Sequence, residues 1–121
     1  MAKKAAEDKP DPRAMLPLTP AVFHIMVALA AGEWHGYGIM LEVDRLTGGQ
    51  LNLGPGTLYR SIQRMLLDSL IEETTVVHDS PEDDERRRYY RLTKFGVEVA
   101  RGEARRLEAL VNAARERGLL S

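Results

Sequence analysis

Residues 54–77 read GPGTLYRSIQRMLLDSLIEETTVV, and this run decides the architecture. Pro55 follows Gly54, and a proline lacks only an N–H that the first turn of a helix leaves unused. Leu58, Ile62, Met65, Leu66 and Leu70 recur at spacings of 4, 3, 1 and 4, which is one apolar face of a helix expected over residues 55–70. The opposite face carries Thr57, Arg60, Gln63 and Arg64, with Tyr59 oblique to it. Taken alone, such a face is an ordinary solvated one, because long charged side chains prefer water. Residues 71–77 (IEETTVV) then switch to β-branched side chains and read as a strand.

Toward the C-terminus, residues 78–85 form a polar loop with Ser80-Pro81 at its turn. Residues 87–93 follow as a strand that alternates Arg88, Tyr90 and Leu92 with Arg87, Tyr89 and Arg91. The two strands make a projecting β-hairpin. Thr93 caps a last helix over residues 94–117, where Val97, Ala100, Ala104, Leu107, Val111 and Ala114 repeat at 3, 4, 3, 4 and 3. This is an a/d seam of coiled-coil type. So long a helix, placed after a finished small domain, has little of its own chain left to cover, and the expected partner of the seam is a second copy in a homodimer.

Toward the N-terminus, residues 50–53 alternate Leu51 and Leu53 and read as a short strand. Gly48-Gly49 closes a helix over residues 37–47 whose Ile39, Val43 and Leu46 share one face. An earlier helix opens at Thr19-Pro20 and stops at Gly32. Val22, Phe23, Met26, Val27, Leu29 and Ala30 make it apolar nearly all round, so it belongs at the centre of the domain. Residues 1–16 are polar, contain Pro10 and Pro12 and show no apolar period, which predicts a flexible arm. The expected division is that arm, a globular unit at 17–93 and a C-terminal dimerisation helix at 94–121.

The order helix, helix, short strand, helix, strand, strand, helix predicts a mainly α (α+β) fold, a winged helix-turn-helix with a long C-terminal helix. In such a fold the helix at 55–70 lays its outer face in the major groove of double-stranded DNA. Arginine offers a bidentate pair to guanine and glutamine one to adenine, so Arg60, Gln63 and Arg64 have suitable chemistry. Arg86, Arg87 and Arg88 on the hairpin suit phosphates.

Four stretches, LTPAVFHIMVALA, HGYGIMLEV, LGPGTLYRSIQRMLLDSLI and RRRYYRLTKFG, span residues 18–96 in order, and together they resemble the PadR family of bacterial transcriptional regulators. The single C-terminal helix is similar to the shorter branch of that family. The resemblance implies a homodimeric repressor of a two-fold symmetric DNA operator, often released by a small-molecule effector. It places DNA contacts on His35, Tyr37, Thr57 and Tyr59, as well as on Arg60, Gln63, Arg64 and the wing residues 86–88. Planar apolar effectors of the family suggest Phe23, Met26, Trp34 and Met40 as lining, which core packing explains equally well. Glu82, Asp83, Asp84 and Glu85 depart from the family pattern by making the wing tip acidic, which disfavours its deep entry into a minor groove.

Composition narrows the alternatives. A chain of 121 residues suits one domain. Its net charge of −1 conceals two opposed blocks: five acids within residues 79–85, then five bases within residues 86–94. With no cysteine, there is no disulfide, thiolate metal site or cysteine nucleophile. Residues 21–31, the longest apolar stretch, fall well short of the ~20 residues a membrane span needs. The opening MAKKAAEDKPDPR has no apolar signal core, so a cytoplasmic protein is expected. Gly54-Pro55-Gly56 lacks the length and the Lys-Ser/Thr of a nucleotide loop. The acidic residues around His78 match no calcium loop. No nucleophile and base pair up in spacing, so no enzyme, metal or cofactor is expected. The alternative is a winged-helix protein-interaction module without DNA binding, docking through its acidic loop.

Overall fold

Thr19 Oγ1 accepts the N–H of Val22 at 3.2 Å and opens the first helix, α1, at Pro20–Ala30. The computed structural model describes residues 11–74 and 88–121. Ile25, Met26, Ala28 and Leu29 are buried, and α1 touches every other helix as well as the sheet, the central position its all-round apolarity demands. A two-residue strand, β1 (Trp34–His35), leads into α2 (Gly36–Thr47), which ends at Gly48 in the left-handed region with φ 59°. Next come α3 (Pro55–Leu67), β2 (Ile71–Glu73), β3 (Tyr89–Leu92) and the long α4 (Lys94–Glu116). The sheet is antiparallel in the order β1-β3-β2, with Trp34 opposite Tyr90 and Glu72 opposite Arg91.

Several boundaries differ from expectation. Residues 50–53 form no strand; Leu53 is buried within an irregular connection, and the third strand is Trp34–His35 instead. The helix expected to reach Leu70 stops at Leu67. Ser69 takes φ 60°, and the N–H groups of Ser69 and Leu70 return to the carbonyls of Leu66 and Met65, a Schellman closure. Leu70 is therefore buried as the apolar residue beyond the cap and not as a fifth residue of the stripe.

The same turn seats α4. Thr93 Oγ1 accepts the N–H of Gly96 at 2.9 Å and donates to the Ser69 carbonyl at 2.6 Å. A Cβ on Gly96 would lie 2.0 Å from the Leu70 carbonyl oxygen, so only glycine fits there.

Within the arm expected over residues 1–16, Asp11 caps a 3₁₀ turn at Pro12–Met15. Met15, Leu16 and Leu18 pack on the core, and the Leu18 N–H donates to Glu103 Oε2 of α4 at 3.0 Å. Residues 1–10 lie outside the described residues, as do residues 75–87 with the rest of the wing. Among the described residues no helix is long and apolar enough to cross a membrane.

Candidate nucleic-acid interface

Leu58, Ile62 and Met65 of α3 are each no more than 1% exposed and pin the helix to the core. Their burial turns Thr57, Arg60, Gln63 and Arg64 outward, all exposed as the spacing predicts. Tyr59 is half exposed. Its ring lies over the start of α2, where a Cβ on Gly36 would come within 2.7 Å of Tyr59 Oη. Arg60 makes no ion pair among the described residues, whereas Arg64 Nε donates to Asp68 Oδ2 at 3.1 Å. Gly56, Arg60, Gln63, Arg64 and Leu67 border a shallow open trough along the helix. Leu67, 78% exposed, continues that face, although the sequence reading placed it on neither side.

The helix starts differ in one respect. Thr19, His35 and Thr93 each accept an N–H from the first turn of α1, α2 and α4. Gly54, at the start of α3, offers no side-chain acceptor. The first N–H groups of α3, at the positive end of its dipole, are therefore left to an external acceptor.

His35 and Tyr37 flank Gly36, which lies against the Tyr59 ring. His35 Nδ1 accepts the Gly38 N–H at 2.9 Å, and its ring meets Tyr89 edge-on at 5.1 Å between centroids. The imidazole that the resemblance gives to DNA thus also caps α2 and ties it to the wing base. The sequence carried no signal for this cap, since histidine is not among the side chains that favour a helix N-cap. Tyr37 is 56% exposed and projects freely.

At the wing base Glu72 pairs with Arg91 at 2.9 Å directly across the strands, and Arg88 pairs with Glu73 at 3.1 Å. Arg88 is exposed there; Arg86, Arg87 and the acidic residues 79–85 lie outside the described residues. Tyr90, buried beneath, has its phenol pushed above the ordinary value by burial and then by the charge of Glu73.

The family model for the transcriptional regulator PadR-like family matches residues 25–101. The chain belongs to the PadR family of transcriptional regulators, not to a family of enzymes. A protein of Streptomyces fradiae, described as an uncharacterized 37.1 kDa protein in transposon TN4556, is 31% identical over 86 residues. The match covers 71% of this chain but 22% of that one, so the chain spans less than a quarter of this relative's length. A PadR family transcription regulator from Clostridium difficile R20291 superposes with a TM-score of 0.67 at 21% identity, covering 81% of this chain and 97% of that one. Bacillus subtilis PadR, solved in complex with operator DNA, superposes at 0.59 and 19% identity, covering 71% and 47%. The structural likenesses establish the winged helix-turn-helix fold.

In this PadR-family chain α4 buries Gly96, Val99 and Glu103, a line one residue away from the expected seam. Val97, Ala100, Leu107 and Ala114 of that seam are half buried, while Ala104 and Val111 are exposed. Val97, Ala100 and Ala104 face Phe23, Met26 and Val27 of α1 across an open groove of about 590 Å³. Of the residues suggested as effector lining, Phe23 and Met26 border this groove, and Trp34 and Met40 are not brought to it. Trp34 covers the first turn of α2, where a Cβ on Gly38 would touch its ring at 2.9 Å, and Met40 packs on the core. His24 is half buried and hydrogen-bonds the Pro20 carbonyl at 2.6 Å within its own helix. Among the described residues no three His, Asp or Glu side chains gather as a metal site would require.

Proposed function

We propose that this PadR-family regulator works in the cytoplasm as a homodimer on double-stranded DNA, repressing transcription from a pseudo-palindromic operator. The observation that carries this reading is α3 itself: an uncapped N-terminus leading into an exposed face of Thr57, Arg60, Gln63 and Arg64, held in place by a fully buried stripe. A major groove admits such a helix and offers guanine and adenine edges to those side chains. Arg86, Arg87 and Arg88 of the wing would hold phosphates, with His35 and Tyr37 completing the contact edge. Bacillus subtilis PadR, similar in fold, has been solved on operator DNA.

Two copies would join through Val97, Ala100, Ala104, Leu107, Val111 and Ala114, placing two α3 helices on half-sites about 10 bp apart. The groove beside Phe23 and Met26 supports release by a small apolar effector. Selection from a random duplex library, followed by salt-titrated anisotropy, tests the reading. A two-fold motif bound by a dimer is the expected result. A chain that flows through heparin at low salt and enriches no duplex would favour the interaction-module alternative instead.

A further inference from the structure

Arg64 is held by a carboxylate placed where helix stability gives no reason for one. Asp68 occupies the C-cap of α3, where the helix dipole already presents negative charge, and it follows its arginine by four residues, the less favourable order for such a pair. Asp68 is 25% exposed but Arg64 73% exposed, and an ion pair whose cation is so open to water adds little to stability. What the pair does set is direction. Asp68 Oδ2 takes only the Nε proton of Arg64, at 3.1 Å, and no other bond to that guanidinium occurs among the described residues. Both Nη nitrogens are left uncommitted beside Arg60 and Gln63, on the border of the exposed trough.

A guanidinium fixed at Nε keeps the end-on fork with which arginine reads guanine O6 and N7. A free arginine on the same turn would divide its time between bases and phosphates. We infer that Asp68 is a positioning residue for base recognition: by engaging Nε it aims the two Nη groups of Arg64 at a guanine edge and sets the preference at one operator position. The inference rests on the reading of α3 as the DNA-contacting helix.

The test is duplex selection with the full chain. Comparing the wild-type motif with that of Arg64→Ala identifies the base pair Arg64 reads. Asp68→Asn is then expected to weaken discrimination at that base pair roughly tenfold. Preference elsewhere in the motif should stay intact and the melting temperature should not fall, while affinity for random duplex rises because a negative charge has left the surface. In an Arg64→Ala background, Asp68→Asn should change nothing further at that position. An Asp68→Asn variant that binds every duplex more tightly with its base preferences unchanged overturns the inference, since Asp68 would then act only as a repelling charge. A wild-type chain that selects no duplex removes the DNA-binding reading, and this inference with it.

Discussion

The helices α3 and α4 each hide one narrow line of residues, yet what they leave exposed differs in its balance of polar and apolar side chains. α3 buries Leu58, Ile62 and Met65 and shows water arginines, an amide and a hydroxyl, with Tyr59 and Leu67 beside them. α4 buries a glycine, a valine and a carboxylate while leaving apolar side chains such as Leu110 and Val111 exposed. A polar face rests comfortably in water until a polyanion offers more, whereas an apolar face remains unfavourable until something covers it. On the proposed reading, the exposed side of each helix, more than its buried side, separates a DNA-facing surface from one that joins two copies.

The sharpest contrast between the two helices is at their glycines. Gly96→Ala would drive a methyl into the Leu70 carbonyl at 2.0 Å, where backbone cannot yield cheaply. Urea unfolding should show a loss of about 3 kcal/mol or more, the upper range for overpacking. Gly56→Ala meets nothing nearer than the tip of Arg60 at 3.8 Å and should leave stability unchanged or raise it by ~0.5–1 kcal/mol. Similar losses from both would erase the distinction between a helix start seated on backbone and one open to solvent.

On the polar face, Arg60→Ala should cost ~1–3 kcal/mol at one base pair of the selected motif. Uniform weakening across all sequences would move Arg60 from base reading to phosphate binding. On the apolar face, Val111→Glu should raise the dimer dissociation constant roughly tenfold, as loss of a central apolar contact does. Light scattering over a concentration series measures it, and an unchanged mass would place the interface elsewhere. Arg88→Ala should weaken all duplexes alike and flatten the salt dependence by about one unit.

The smallest effect concerns Glu103, the carboxylate under α4. A hydrogen bond from Arg106, assisted by the Leu18 N–H and by the charge of Arg106, holds it below the usual carboxylate range despite its burial. A depressed folded value means stability is fully present above the unfolded value of about 4.3 and is lost as pH falls through the folded one. The difference in melting temperature between wild type and Glu103→Gln should therefore be constant near neutrality and shrink only in acid. A difference that grows on acidification would contradict the ion pair.

Much of the candidate site was legible because it lies on one helix. Spacing alone separated Leu58, Ile62 and Met65 from Arg60, Gln63 and Arg64, and burial follows that division. Trp34 and His35 were not legible as a strand, since two residues carry no period; they are extended because Tyr89 and Tyr90 offer them partners. Leu51 and Leu53 show the reverse error, an alternation that no neighbouring strand takes up. Glu103 looks in sequence like any solvated residue beside a seam, and only the approach of Leu18 encloses it.

The chain alone specified its helix starts at Thr19 and Thr93 and the face of α3, since caps and stripes act within a turn or two and so appear as spacing. Tertiary structure decided the pairing of Trp34–His35 with β3, the glycine at 96 and the enclosure of Glu103. Each of these joins residues far apart in the chain, 85 positions in the case of Leu18 and Glu103, and a contact made across such a distance leaves no local pattern to read.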